Sequence, residues 1–242
     1  MDKYESRPRD RIAEQIECYI IEHNLKPGDA LPSERQLCEA WQCNRMTFRA
    51  AAKRLISAGI LASTPLVNYY IPEPRLVRNL QDLGSFTEWV NSLGKTLKNR
   101  CLSQAVLSAS PRMTERLGLT KGSEVLQIVR VRLIDAEPIS VDTSIIPLER
   151  FPGIENEDFE NLSIYGLYKE KYGVELGSGT EDISLTFADE WEAVQLEIPE
   201  GSACYFLNGV TYNAQNVPIE LFKSVTRTEK IKFISELRKE ES

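Results

Sequence analysis

The chain has 242 residues, 42% hydrophobic and 27% charged, with a net charge of −7. That is the balance of a soluble globular protein with room for one large domain or two small ones, and it excludes a generic nucleic-acid coat. No stretch approaches the roughly 18–20 apolar residues of a membrane span, and the charged opening MDKYESRPRDR is no signal peptide, so a cytoplasmic protein with no membrane partner is expected. The five cysteines (Cys18, Cys38, Cys43, Cys101 and Cys204) are scattered, and His23 is the only histidine. That pattern fits reduced thiols and gives no reason to expect a metal site or a cofactor.

The charge is unevenly placed. Residues 1–72 hold 10 Lys and Arg against 9 Asp and Glu, whereas residues 73–242 hold 19 against 27. The N-terminal third can therefore approach a polyanion that the remainder would repel. RDRIAEQIECYIIEHN spaces Ile12, Ile16, Tyr19 and Ile20 along one helical face. A turn at Pro27-Gly28-Asp29 leads to a second helix, with Ser33 as N-cap, Glu34 in the first turn, and Leu37 and Trp41 on the apolar side. After the short break QCN, Asn44 caps a third helix that runs to Gly59. There Phe48, Ala51, Ala52 and Leu55 form a core face, and Arg45 and Arg49 look outward. ILASTPLVNYYIP reads as a hairpin turning over residues 65–68. Three helices with a tight second-to-third turn, followed by a hairpin, make a winged helix-turn-helix, whose recognition helix lies in the DNA major groove. Arginine is suited to that groove because it bonds guanine or phosphate with two donors at once.

PEPRLVR, residues 72–78, is a proline-stiffened linker and marks the domain boundary. Next come a helix capped by Ser85 or Thr87, a strand over CLSQAVLSAS, and a short helix and turn over PRMTERLGLTKGS. EVLQIVRVRLIDAEPISVDTSIIP is a long hairpin turning over residues 135–138, and NLSIYGLYKEKYG is an amphipathic helix with Ser163 near its start. A strand (GSGTEDISLTFAD), a helix (EWEAVQLE), a second long hairpin turning over residues 213–216 and a last strand (KIKFISELR) complete an α+β domain. Both hairpins have the form strand, polar turn, proline, strand, at Glu137-Pro138 and Val217-Pro218, which hints at a duplicated half. Arg130 and Arg132, two apart on one strand, share a face. They can clamp a phosphate or carboxylate, or simply pair with Glu124 or Asp142 on a solvated sheet.

KPGDALPSERQLCEAWQCNRMTFRAAAKRLISAGIL resembles the DNA-binding domain of GntR-type bacterial transcription regulators, through L-P-S-E-R-x-L and then polar-Arg-x-Thr-x-Arg ahead of A-x-x-x-L-x-x-x-G. SFTEWV, VRVRLIDAEPISVDTSIIP, SIYGLYKEKYGV and NVPIELFKSVTR are similar to the UTRA ligand-binding domain of the HutC-like branch. The resemblance implies a winged helix-turn-helix over residues 1–71 and, over residues 79–242, a chorismate-lyase-like antiparallel sheet with helices that binds an effector and dimerises. It implies a homodimer on palindromic double-stranded operator DNA, with repression relieved or modulated by a small effector, often a phosphorylated sugar. The family's DNA contacts fall on Ser33, Arg35, Asn44, Arg45, Thr47 and Arg49, and its effector contacts on Ser85, Thr87, Arg130, Arg132, Asp142, Ser163, Tyr165 and Glu220.

Two departures from the family pattern bear on function. The family's wing carries an arginine and a Gly-x-Gly-Thr tip, whereas residues 63–70 read STPLVNYY, and no Lys or Arg occurs from Leu55 to Pro74. A wing enters the minor groove through cations and close backbone approach, so weaker contact there is expected. Asp142 stands where the family often has Glu, which shortens its reach. Two rival readings follow: a regulator-derived protein that binds a ligand or partner with weakened DNA binding, and a lyase-type enzyme. The second rests on fold analogy alone, without a nucleophile–base pair, so no enzymatic activity is expected.

Overall fold

The computed structural model describes residues 7–64, 69–160 and 162–236. The chain separates into two compact units, Met1–Arg75 and Leu76–Ser242.

The first unit is built on α1 (Pro8–Glu22), α2 (Glu34–Ala40) and α3 (Arg45–Ala58). Local chemistry sets their ends. The Ser33 and Gln36 side chains form a reciprocal capping box at the start of α2, and Asn44 Oδ1 accepts from the Thr47 N–H at 2.8 Å to start α3. Gly59, at φ 74°, ends α3 in the left-handed region, and a side chain there would meet the Arg75 guanidinium. Ile12, Ile16, Leu37, Phe48, Ala51, Ala52 and Leu55 are buried together, and the two alanines let α1 and α3 approach closely. Tyr70 bridges to both Ala30 and Ala62, which forms the base of the expected hairpin. Its turn, residues 65–68, lies outside the described residues. Phe48 is fully buried, its ring 5.6 Å from that of Tyr69 and 6.3 Å from that of Trp41. Phe48→Ala is therefore expected to destabilise this unit by about 3–5 kcal/mol. Denaturant unfolding followed by Trp41 fluorescence checks it.

The second unit opens with β1 (Leu76–Asn79), so residues 76–78, assigned to the linker from sequence, are strand. They become strand because β1 pairs in parallel, Leu76 to Ile231, with a segment near the end of the chain. Then follow α4 (Phe86–Ser92), β2 (Leu97–Ser108), α5 (Pro111–Leu117), β3 (Glu124–Ile134) and β4 (Glu137–Pro147). A short 3-10 turn precedes α6 (Ile164–Tyr172), β5 (Leu176–Phe187), α7 (Glu190–Leu196), β6 (Ala203–Asn213), β7 (Pro218–Arg227) and β8 (Ile231–Ile234). Six strands form one antiparallel sheet in the order β2-β3-β4-β7-β6-β5. The succession helix, strand, helix, strand, strand thus occurs twice, and the two halves meet at β4 and β7. The two proline-marked hairpins occupy the same place in each half. Asp135 and Ala136, both at positive φ, make the tight β3–β4 turn. Among the described residues no helix is long and apolar enough to cross a membrane.

Period-two alternation divides the sheet's faces. On β3 the odd residues Val125 and Val131 pack in the clusters that hold α5 and α7. The even residues Leu126 and Ile128 pack against α6, and Arg130 and Arg132 continue that same face.

Candidate functional site

Beyond Ile128 the α6 face of the sheet stops being apolar and becomes the floor of a cavity of about 770 Å³. Two helix starts overhang it. Ser85 caps α4 and Ser163 caps α6, and their hydroxyl oxygens lie 3.1 Å apart, so the corresponding helices of the two halves converge on one point.

The two floor arginines have different fates. Arg132 donates from Nε to Asp142 Oδ2 at 2.9 Å and from Nη1 to Asn99 Oδ1 at 2.8 Å. The other oxygen of Asp142 accepts from Ser140 Oγ at 2.8 Å and Ser224 Oγ at 2.6 Å. Asp142 thus anchors Arg132 through Oδ2 while two serine hydroxyls hold Oδ1. Arg130, directly across the ladder from Asp142, does not pair with it. It is 1% exposed, and among the described residues it donates from Nη1 only to the Leu162 carbonyl at 3.4 Å and its buried Nη2 has no partner. Burial, and then the like charge of Arg132, pushes its guanidinium down to about 9, so it stays charged at neutral pH. A buried donor left unmade costs about 1–3 kcal/mol, and an anion in the cavity would remove that cost.

Glu220, 3% exposed, accepts from Thr211 Oγ1 at 3.5 Å, and that hydroxyl lies 3.0 Å from Tyr165 Oη. Burial raises the Glu220 carboxyl above its usual 4.5. The folded state then holds more protons than the unfolded one between the usual and the raised value, so this group's contribution to stability is lost as pH rises through that window. The unfolding temperature of the protein is expected to fall more steeply with rising pH above about 4.5 than that of Glu220→Gln. Thermal unfolding of both across pH 4–8 reads the difference.

Seven of the eight residues assigned to the effector site from sequence line this cavity: Ser85, Arg130, Arg132, Asp142, Ser163, Tyr165 and Glu220. Thr87 is not among the lining residues, and it contributes its backbone N–H to the Ser85 cap at 3.1 Å. Sequence reasoning missed Thr211 and Ser224, whose inward direction depends on the β6–β7 and β4–β7 registers, and Arg78 on β1.

In the first unit, Arg45 and Arg49 stand exposed on α3, each ion-paired to Glu34 of α2, at 3.9 Å and 2.9 Å. Arg35 is exposed and pairs with Glu39 at 3.7 Å. Ser33, Asn44 and Thr47 take part in the two helix caps. Met46, 83% exposed beside Arg45, was not expected; an apolar side chain there suits a thymine methyl. The arrangement is two cations in the first turns of α3 that share the Glu34 carboxylate, with a third cation on α2 paired to Glu39.

Comparison with known proteins gives the same division. Residues 8–68 match the model described as bacterial regulatory proteins, gntR family, and residues 92–232 match the UTRA domain. The chain is 29% identical over 224 residues to the HTH-type transcriptional repressor NagR of Bacillus subtilis (strain 168), covering 93% of this chain and 92% of that one. It is 26% identical over 212 residues to the "Probable fructoselysine utilization operon transcriptional repressor" of Escherichia coli (strain K12), covering 88% and 87%. The crystal structure of PhnF from Mycobacterium smegmatis has the same fold, with a TM-score of 0.68 at 23% identity over 94% of this chain and 99% of that one.

Proposed function

Because the chain belongs to the gntR family of bacterial regulatory proteins and carries a UTRA domain, we propose that this DNA-binding transcription regulator is a repressor whose effector is a phosphorylated sugar or similar anionic metabolite. It acts as a homodimer on a palindromic operator, with Arg35, Arg45 and Arg49 contacting the DNA and Ser33, Asn44 and Thr47 holding the helix starts that present them. The observation that carries the effector reading is Arg130: a charged, buried guanidinium with one partnerless nitrogen, in a cavity of about 770 Å³ roofed by two serine-capped helix starts. Its hydroxyl-rich walls suit a polyol, and Glu220 can accept from a sugar hydroxyl or an amine. The repressor assignment is supported by the names of both relatives, one of which includes a sugar derivative, fructoselysine.

The test is a selection of genomic fragments by the purified protein at near-physiological salt, followed by anisotropy on the best fragment with and without sugar phosphates. A palindrome bound at least about 10³-fold more tightly than random duplex, and released by a sugar phosphate, is the expected result. Sequence-blind binding that fades with salt would overturn the operator reading and point to the cation-free wing.

A further inference from the structure

Arg78 plays no part in the effector-site reading on which this inference rests. It lies on β1, is half-buried, and lines the cavity. Its guanidinium carbon sits 5.3 Å from the centroid of the Phe86 ring and 5.9 Å from that of Trp89. Trp89 is itself tied to β1 by a 3.0 Å bond from Nε1 to the Val77 carbonyl. Arg132 approaches the same Phe86 ring, at 5.6 Å. The two guanidiniums therefore share one aromatic platform, but Arg132 is anchored through Nε and Nη1 to Asp142 and Asn99. Among the described residues the Arg78 side chain has no hydrogen-bond or ion-pair partner. Glu181, on β5 across the cavity, senses its charge without pairing to it. Stacking on rings fixes a guanidinium in place while leaving its in-plane N–H donors free, which is how an arginine is held ready for an acid.

We propose that Arg78 is a second anion-reading residue of this cavity, and that the effector carries two acidic groups, one held at Arg130 and the other at Arg78. The two guanidiniums belong to different parts of the unit, Arg130 to the middle of the sheet and Arg78 to the strand pair β1–β8. A cavity of about 770 Å³ has room for a molecule that carries an acid at each end. A ligand with one acid group would shield Arg78 from water without pairing its donors, so the site discriminates by leaving a polar group unmatched.

Isothermal calorimetry on the full chain with 6-phosphogluconate and with glucitol 6-phosphate tests this. These open-chain molecules share the phosphate and the hydroxyl-bearing chain and differ only in a carboxylate or an alcohol at the far end. The wild type is expected to prefer 6-phosphogluconate by about tenfold or more. Arg78→Gln is expected to bring the two affinities together, Arg78→Lys to restore part of the preference, and Arg130→Met to lose both ligands. Equal affinities in the wild type, or a preference that survives in Arg78→Gln, would overturn the role of Arg78 while binding that depends on Arg130 still upheld the anion site. No binding of either molecule, with no protection against thermal unfolding by inorganic phosphate, would overturn both.

Discussion

Replacing Arg130 with methionine is expected to raise the unfolding temperature of the ligand-free protein and to abolish its stabilisation by an anionic effector. The first effect follows from removing a buried charge whose Nη2 has no partner. The side chain is 1% exposed, so the unmade bond carries its full penalty, about 1–3 kcal/mol, and methionine fills much of the same volume without a donor. The second follows because the same guanidinium is the group an anion would pair with. Removing one partner of a buried, hydrogen-bonded charge pair costs about 2–5 kcal/mol in affinity. Thermal unfolding with and without inorganic phosphate or a sugar phosphate reads both effects together. A variant that is less stable than the wild type and still protected by the anion would show that Arg130 is a structural residue and that the anion sits elsewhere. Arg132→Met serves as the contrast. It leaves the Asp142 carboxylate without its cation and Asn99 Oδ1 without its donor, and is expected to destabilise the ligand-free protein.

The second large effect is expected in the other unit. Arg45→Ala and Arg49→Ala should each weaken binding to a specific operator by about 5- to 150-fold if the arginine reads a base edge. An arginine that contacts only phosphate would instead weaken all duplexes alike and reduce the salt slope by about one. Both arginines lean on Glu34, at 3.9 Å and 2.9 Å, so DNA competes with that carboxylate for the same donors. Glu34→Gln is expected to act in the opposite direction, raising affinity for random duplex and steepening its dependence on salt. Anisotropy titrations over a range of salt concentrations separate these outcomes. Operator affinity unchanged in both arginine variants would remove α3 from the DNA interface.

Helix ends were readable in the sequence because the chemistry that sets them is local: Ser33, Asn44 and Ser163 cap the helices that begin beside them, and Gly59 ends its helix through its own backbone. For α4 the sequence left Ser85 and Thr87 open as caps, and the structure resolves this in favour of Ser85. The long hairpins were equally legible as alternating strands around tight polar turns. β1 was not, because LVRN carries no alternation and is strand only by virtue of a partner some 150 positions away. The site shows the same limit. Residue type and spacing put Arg130 and Arg132 on one face, but only the diagonal reach to Asp142 gives one an ionic partner and leaves the other without. Arg78 had no legible signal, since its place at the cavity comes from that same β1–β8 pairing.

The β1–β8 pairing also sets an order in time. α1, α2 and α3 enclose a core of their own by residue 75, and nothing in that core waits for later chain. β1 follows at once in sequence but has no partner until Ile231 has been made. At about 5–20 residues per second, that is a delay of roughly 8–30 s during synthesis. For that interval the ribosome carries a finished DNA-binding head joined to an effector unit that cannot yet close, with Arg78 and Trp89 still awaiting the strand that anchors them. A chain interrupted before β8 would keep the head and lose the means of addressing it.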